Sequence, residues 1–403
     1  MNEHIVIVGG GHAAAQLCGA LAAAGRSHGV HVVCEEAELP YHRPPLSKTF
    51  LKDPAQGLQP HRAEKWFADA GITLHRVDPA VAIDRSEHLV RLRSGTTLPY
   101  QTLVLATGSR ARKLPHLSDH LVNVAALRNA ADATRLRTLV HASDSLTIVG
   151  GGFIGLEIAA VARALGKAVQ VLESAPRLLM RGVSPEIAEH ILQTHRANGI
   201  DIRVGVAVGG FDITNDRLTR LSVDGVPQPI ELMAQGIGAA PEHSLATEAG
   251  LHCEKGIVVD AHMRTSDPAI LAIGDCTSFP EHDTGRRLRL ESVQNANDQA
   301  RTACSTIVGE LQPYRAVPWF WSDQGELRLQ MVGLAPAESV RYRRNGATAQ
   351  SFSILHYFGE RLACVESVNA PADHLAARKL LEKGRSLSPE IACDPAVPLK
   401  QRV

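Results

Sequence analysis

The sequence predicts an α/β chain, with two Rossmann-like dinucleotide-binding domains followed by a smaller C-terminal α+β domain. Three observations carry this. HIVIVGGGHAAAQLCGALAAAG, from His4, is echoed by LTIVGGGFIGLEIAAVARALG, from Leu146. Each is a short β-branched run, a glycine cluster and a small-residue helix, the strand–turn–helix opening of a dinucleotide fold. Second, YQTLVLATGSR, MAQGIGAAPE and AILAIGDCTSFP read as apolar strands ended by glycine turns. Third, the pattern changes from about Pro318: PWFWSDQ is followed by LRLQMVGL and SFSILHYF, which read as antiparallel strands with one wet face, and then by a helix in ADHLAARKLLEKG.

Length and composition narrow the function. At 403 residues the chain has room for two or three domains. Its 42 Lys and Arg balance 42 Asp and Glu, which disfavours broad binding to nucleic acid or an anionic membrane, since both need a basic surplus. A strand begins almost at once, with no charged n-region, and no run approaches the ~18 apolar residues of a membrane span, so a cytoplasmic protein is expected. The seven cysteines are scattered, with no CxxC or CxxxxC pair. No zinc ribbon, iron–sulfur ligand set or local redox dithiol is written there, and no metal centre is expected.

Gly9, Gly11 and Ala14 form G-x-G-x-x-A. The first glycine allows the tight turn, the second lets backbone amides approach a pyrophosphate at the helix N-terminus, and the third position must be small for helix–strand packing. An acid should end the next strand and hold a ribose, and VHVVCEE supplies Glu35, with Glu36 as second choice. Gly150, Gly152 and Gly155 complete G-x-G-x-x-G in the second unit, and Glu173 closes the following strand. A carboxylate there accepts hydrogen bonds from a ribose diol and repels a 2′-phosphate, which favours NADH over NADPH. Arg177 and Arg181 lie nearby and could seat that phosphate. Glu157, two residues past Gly155, is either an acid stabilised near a helix N-terminus or the partner of a cation at the boundary of the nucleotide domains.

YHRPPLSK, from Tyr41 to Lys48, sets two prolines between an arginine and a lysine. Prolines fix the backbone, so the loop is stiff and carries a cation at each end. With this stretch, LVLATGS, GGGFIGLE, GIGAAPE, TSDPAILAIGDC, LRLESVQNANDQA and PWFWSDQ, the chain resembles the oxygenase-coupled NADH–ferredoxin reductases, the putidaredoxin reductase and biphenyl dioxygenase reductase group, from about Ile5 to Lys400. RPPLSK and PWFWSDQ are the most specific stretches. The resemblance implies a glutathione-reductase-like fold, with FAD on residues 1–111 and 239–318, NADH on residues 112–238, and residues 319–403 as the third domain. It implies FAD contacts at Gly9, Gly11, Ala13, Ala14, Glu35, Lys48, Ala80, Ala106, Thr107, Arg128, Asp275 and Val293, with Arg43 towards the pyrophosphate. It implies NAD contacts at Gly150, Gly152, Phe153, Ile154, Gly155, Glu173 and Gly238. Lys48 would lie beside the flavin N5 edge, paired with Glu157, and position N5 for hydride arrival.

Asp275, in GD after an apolar strand and before a helix, suits a ribityl hydroxyl; a helix N-cap is the other reading. Ala14 in place of the usual third glycine is tolerated. Glu242, in GAAPE, stands where the family usually has asparagine and adds a carboxylate near the nicotinamide side. His12, inside the first glycine turn, has no functional reading, and Cys276 reads as structural.

NADH gives two electrons as hydride, whereas iron–sulfur proteins take one at a time, and a flavin can bridge the two. The chain encodes no cluster, so a one-electron acceptor must be a separate protein. By resemblance it is a small acidic [2Fe–2S] ferredoxin that serves a P450 or a Rieske-type oxygenase. Trp321 would act near the flavin at the docking face, be an aromatic core residue, or do both. A basic rim would receive the ferredoxin, with Arg301 the first choice and Arg286, Arg287, Arg289, Arg341, Arg343 and Arg344 the others. Disulfide reductases of the same fold need a dithiol or a flavin-facing cysteine, and the first helix holds only Cys18. A rubredoxin reductase, a monodehydroascorbate reductase and an NADH-sensing flavoprotein without a ferredoxin partner remain as alternatives. Monomer and weak dimer are both open.

Overall fold

The computed structural model describes residues 4–118, 120–282 and 284–402. The chain forms two compact units. One takes in the chain up to Arg43, Leu58–Arg110 and Ala239–Ala316; the other takes in Pro44–Gly57, Ala111–Gly238 and the chain from Val317 onward. The chain therefore passes from one unit to the other inside RPPLSK, between Arg43 and Pro44.

The first unit is built on a parallel sheet in the order Ile270–Ala272, Thr102–Leu105, Ile5–Val8, Val30–Cys34 and Ile72–Arg76. Ile5, Val6 and Ile7 are all buried, as a parallel strand covered on both faces requires. The helix His12–Ala23 packs against the helix Val293–Ile307. Leu17 and Leu21 of the first share a core with Ala300 and Ala303 of the second. One element differs from expectation. After Asp275 comes the strand Thr277–Pro280, not a helix. Thr277 closes a turn by donating from Oγ1 to the Gly274 carbonyl at 2.8 Å, and the β-branched Thr277 and the aromatic Phe279 favour extended backbone. The helix begins only at Val293, capped by Ser292 Oγ, which accepts from the Asn295 amide at 3.0 Å.

The second unit holds a parallel sheet in the order Asp201–Val204, Ala168–Glu173, Ser145–Val149, Met233–Gln235 and Val124–Ala126. It also holds an antiparallel sheet in the order Trp319–Gln324, Leu327–Gly333, Arg361–Val368, Phe352–Phe358 and Val340–Asn345. The expected wet face is not found on its inner strands: Phe352–Phe358 is buried at every position but the last. Leu329, Phe352, Ile354 and Val368 join the core of Ile148, Leu156 and Ile191 on one side. On the other, Val332, Leu355, Tyr357 and Val365 pack with Ala376, Ala377 and Leu380 of the helix Pro371–Glu382. A sheet sandwiched in this way is covered on both faces. Leu51, just past the proline loop, belongs to the first of these cores and anchors that loop. Among the described residues, no helix is long and apolar enough to cross a membrane.

Candidate active site

The two glycine turns have the same backbone. Gly9 has φ +121° and Gly150 has φ +112°, and a Cβ on either would stand 2.1 Å from the Ala106 carbonyl oxygen or 2.4 Å from that of Gly236. Only glycine tolerates both the angle and the contact. Each turn delivers a helix whose N-cap, Gly11 or Gly152, makes no side-chain hydrogen bond to the first-turn amides. Such amides, with the helix dipole behind them, are suited to an anion.

In the first unit several of the predicted FAD residues converge on that helix start. A Cβ on Gly11 would lie 4.0 Å from Arg43 Nε, and one on Gly274 would lie 3.3 Å from the Ala13 Cβ, so the turn carrying Asp275 packs on the helix entry. Ser109 Oγ donates to Asp275 at 3.3 Å. Arg43 donates to Glu36 at 2.6 Å, and the Tyr41 hydroxyl donates to the same carboxylate at 2.5 Å. Glu36 is therefore committed to fixing Arg43. Glu35 is exposed and lies 3.3 Å from Arg110, which also bonds Glu242. Burial alone would raise the Glu242 carboxyl, but Ser244 and Arg110 hold it below the ordinary range. The added carboxylate is thus matched by a cation that the sequence reading did not single out. Thr107 Oγ1 donates to the Glu242 carbonyl at 2.5 Å, fixing the turn that follows Ala106. Val293 opens the helix that packs on His12–Ala23, and Ala80 begins the strand Ala80–Asp84 in a separate antiparallel sheet. Arg128 belongs to the second unit, where its amide donates to Asp132 at 2.9 Å. The uncapped helix start, the glycine cradle and the Arg43 charge felt by Asp275 fit the pyrophosphate and ribityl groups of FAD.

In the second unit a Cβ on Gly155 would meet the Gly150 carbonyl oxygen at 2.2 Å, so the helix lies directly on the turn. Glu173 accepts from the Gly151 amide at 2.6 Å and from the Ala175 amide at 2.7 Å, which sets its carboxylate at the rim of the turn. Arg177 is folded onto its own loop, donating to the Met180 carbonyl at 2.9 Å. Ile154 is 44% exposed at the helix start, and the Phe153 ring packs on Phe320 with centroids 4.7 Å apart. Gly238, at the end of the unit's middle segment, accepts from the Arg112 amide at 2.9 Å.

The most constrained group is Glu157, 3% exposed on the helix Phe153–Ala164. Its Oε2 accepts from Ser47 Oγ at 2.5 Å and meets Lys48 Nζ at 2.8 Å, while its Oε1 accepts from Ser322 Oγ at 2.7 Å. Gln324 Nε2 donates to Ser322 Oγ at 3.2 Å, and His195 Nε2 lies 2.9 Å from Gln324 Oε1. Burial lowers the His195 pKa despite the Gln324 contact. One connected chain thus runs from His195 to Lys48. The 3-10 turn Pro44–Ser47 positions the basic end, closed by the Lys48 amide donating to the Pro45 carbonyl at 3.0 Å and anchored by buried Leu46, Phe50 and Leu51. Strand alternation sends Ser322 and Gln324 to one face and Trp319 and Trp321 to the other. Trp321 accordingly faces Trp319, with centroids 5.6 Å apart, and not Glu157. Ser47, Ser322, Gln324 and His195 were missed from sequence. Their only local signals were a serine beside the lysine of a stiff turn and one beside the tryptophan of PWFWSDQ.

Of the basic residues proposed for a rim, Arg344 is buried and cannot serve. It donates to the carbonyls of Ala392 at 3.0 Å, Asp394 at 2.6 Å and Val397 at 3.0 Å, and to Asp373 at 3.1 Å. Arg341 pairs with Glu186 at 2.9 Å, and Arg343 stacks 3.8 Å from the Phe352 ring centroid. Arg301 is exposed and pairs with Asp298 on its own helix. All seven cysteines are free thiols; burial pushes Cys18 and Cys34 up to about 12, and Cys276 donates to the Ile273 carbonyl at 3.3 Å.

The model of the pyridine nucleotide-disulphide oxidoreductase family matches residues 3–300, and the reductase C-terminal model matches residues 319–403. The chain belongs to the pyridine nucleotide-disulphide oxidoreductase family. As a pyridine nucleotide-disulphide oxidoreductase it is an oxidoreductase that binds FAD and uses NADH, although the cysteine positions give it no local redox dithiol. Rhodocoxin reductase from Rhodococcus erythropolis is 39% identical over 398 residues, which is 98% of this chain and 93% of the relative. The crystal structure of the ferredoxin reductase for the CYP199A2 system from Rhodopseudomonas palustris matches with a TM-score of 0.95 and 40% identity, over 100% of both chains. That of the covalent putidaredoxin reductase–putidaredoxin complex matches with a TM-score of 0.95 and 36% identity, over 99% of this chain and 98% of the other.

Proposed function

We propose that the chain is an NADH-dependent FAD flavoprotein that reduces a small acidic [2Fe–2S] ferredoxin, which in turn serves a P450 or a Rieske-type oxygenase in the cytoplasm. The observation that carries this reading is the full-length likeness, C-terminal domain included, to a putidaredoxin reductase crystallised in covalent complex with putidaredoxin. FAD would supply hydride acceptance and the release of electrons one at a time. The roles of this chain's residues follow from their chemistry. The amides after Gly11 and the Arg43 guanidinium receive the pyrophosphate charge, and Asp275 accepts from a ribityl hydroxyl. The turn at Gly150 and Gly152 receives the NADH pyrophosphate, and Glu173 reads its adenine ribose. Glu157, with Ser47 and Ser322, holds the Lys48 ammonium that serves the flavin. Residues 1–111 and 239–318 act as the FAD domain, 112–238 as the NAD domain, and 319–403 as the third, with the ferredoxin received near Arg301 and Trp321.

Glu173→Ala is expected to raise the ratio of NADPH to NADH kcat/KM by about tenfold, because a like charge facing the 2′-phosphate has been removed. An unchanged ratio would remove Glu173 as the reader. The function itself is tested by steady-state reduction of an acidic [2Fe–2S] ferredoxin, followed through cytochrome c, with rubredoxin and a small disulfide in parallel. Turnover with NADH and ferredoxin is expected. Turnover only with rubredoxin or the disulfide would overturn the reading.

A further inference from the structure

We propose that His12, His42 and His61 form a binding site for a single late first-row divalent cation, with imidazole nitrogens as its protein ligands. One ligand nitrogen from each ring lies within 4.8 Å of the other two. Ring centroids are 4.6 Å apart for His12 and His61, 5.6 Å for His12 and His42, and 3.9 Å for His42 and His61. The three come from separate segments of the first unit, and the backbone holds them in place. His12 is the first residue of the helix that follows the glycine turn. His42 and His61 follow the two residues of the Tyr41–Pro60 antiparallel bridge. The His42 amide donates to the Gln59 carbonyl at 2.9 Å, and the His61 amide donates to the Pro40 carbonyl at 2.8 Å.

A second observation points to a ligand. His61 Nε2 is buried with no hydrogen-bond partner among the described residues. A buried imidazole nitrogen that has lost water and gained nothing needs a reason, and a coordinated cation supplies one. The donor set selects the metal. Three imidazoles without a carboxylate suit zinc, nickel, copper or cobalt and do not suit calcium or magnesium, which take oxygen ligands. Tetrahedral zinc, with bonds of about 2.0–2.1 Å, needs ligand nitrogens ~3.3 Å apart. His42 is the exposed member of the three, so its ring has room to adjust towards that spacing. Two cations stand near and oppose the site, and both have other partners. Arg43 is 2.6 Å from Glu36, and Arg62 lies over the Trp66 ring at 5.5 Å and donates to the His61 carbonyl at 2.9 Å. Because the ligands lie far apart in the chain, no spacing motif announced them.

The test uses the FAD-loaded protein, stripped of metal with a chelator and titrated with zinc by calorimetry and with cobalt by visible absorption. The expected result is saturable binding of one equivalent per chain, with a cobalt d–d band. His42→Gln and His61→Asn should each weaken zinc binding by about tenfold or more. His75→Gln is the control, because the His31 and His75 rings, with nitrogens 3.0 Å apart, form a second imidazole pair. It should leave binding unchanged. No saturable one-equivalent site would overturn the proposal, as would a zinc affinity unchanged by His42→Gln or lost in His75→Gln. His42 is exposed, so its variant remains decisive even if His61→Asn fails to fold.

Discussion

Glu157→Gln is expected to slow flavin reduction by NADH by about 10–100-fold, or roughly 1.4–2.7 kcal/mol of barrier. The carboxylate accepts from both serines and is the counter-charge of Lys48. Glutamine keeps the volume but puts an NH2 donor against at least one of those donors and removes the charge that fixes the ammonium. Lys48, 20% exposed, can then turn to solvent. Alanine is the poorer probe, because it leaves buried serine hydroxyls without a partner and mixes a stability loss with the chemical one. Stopped-flow loss of flavin absorbance reports the rate, and Lys48→Met should reproduce most of the defect. A Glu157→Gln enzyme reduced at the parental rate, with Tm preserved, would remove the pair from the reaction.

Arg344→Met is expected to cost about 3 kcal/mol and to release the C-terminal tail, since breaking one side of a buried ionic network leaves the other side uncompensated. The guanidinium, with its residue 5% exposed, ties Asp373 at the start of one helix to the carbonyls of Ala392, Asp394 and Val397. Methionine keeps the apolar stem, so the loss isolates the polar contacts. Limited proteolysis should cut early between residues 389 and 402, and the melting transition should fall. Resistance equal to that of the parent would mean that the tail is held by Leu399 and its apolar neighbours in the core rather than by Arg344.

What could be read from sequence was local. The turns at Gly9 and Gly150 were legible because motif, strand and helix sit within one short stretch, and the structure gives both the same backbone. What depends on distant chain was not. Glu157 receives Ser322 across 165 positions and Ser47 across 110, and no spacing rule links them. SFSILHYF looked half-wet because Ser353 and His356 are polar. Both are buried, with Ser353 Oγ 2.9 Å from Ser367 Oγ and His356 Nδ1 3.2 Å from Ser339 Oγ. Polarity in a strand predicts exposure only where no partner waits inside. The same limit misplaced Arg344, which in RYRRN looks like any surface cation.

The most direct test is anaerobic double-mixing stopped flow: the FAD-loaded protein with NADH, then with oxidised [2Fe–2S] ferredoxin. The account predicts rapid loss of flavin absorbance with NADH, slower loss with NADPH, and its return as two ferredoxins are reduced for each NADH consumed. Flavin absorbance that NADH leaves untouched, or that ferredoxin cannot restore while a disulfide can, would contradict it.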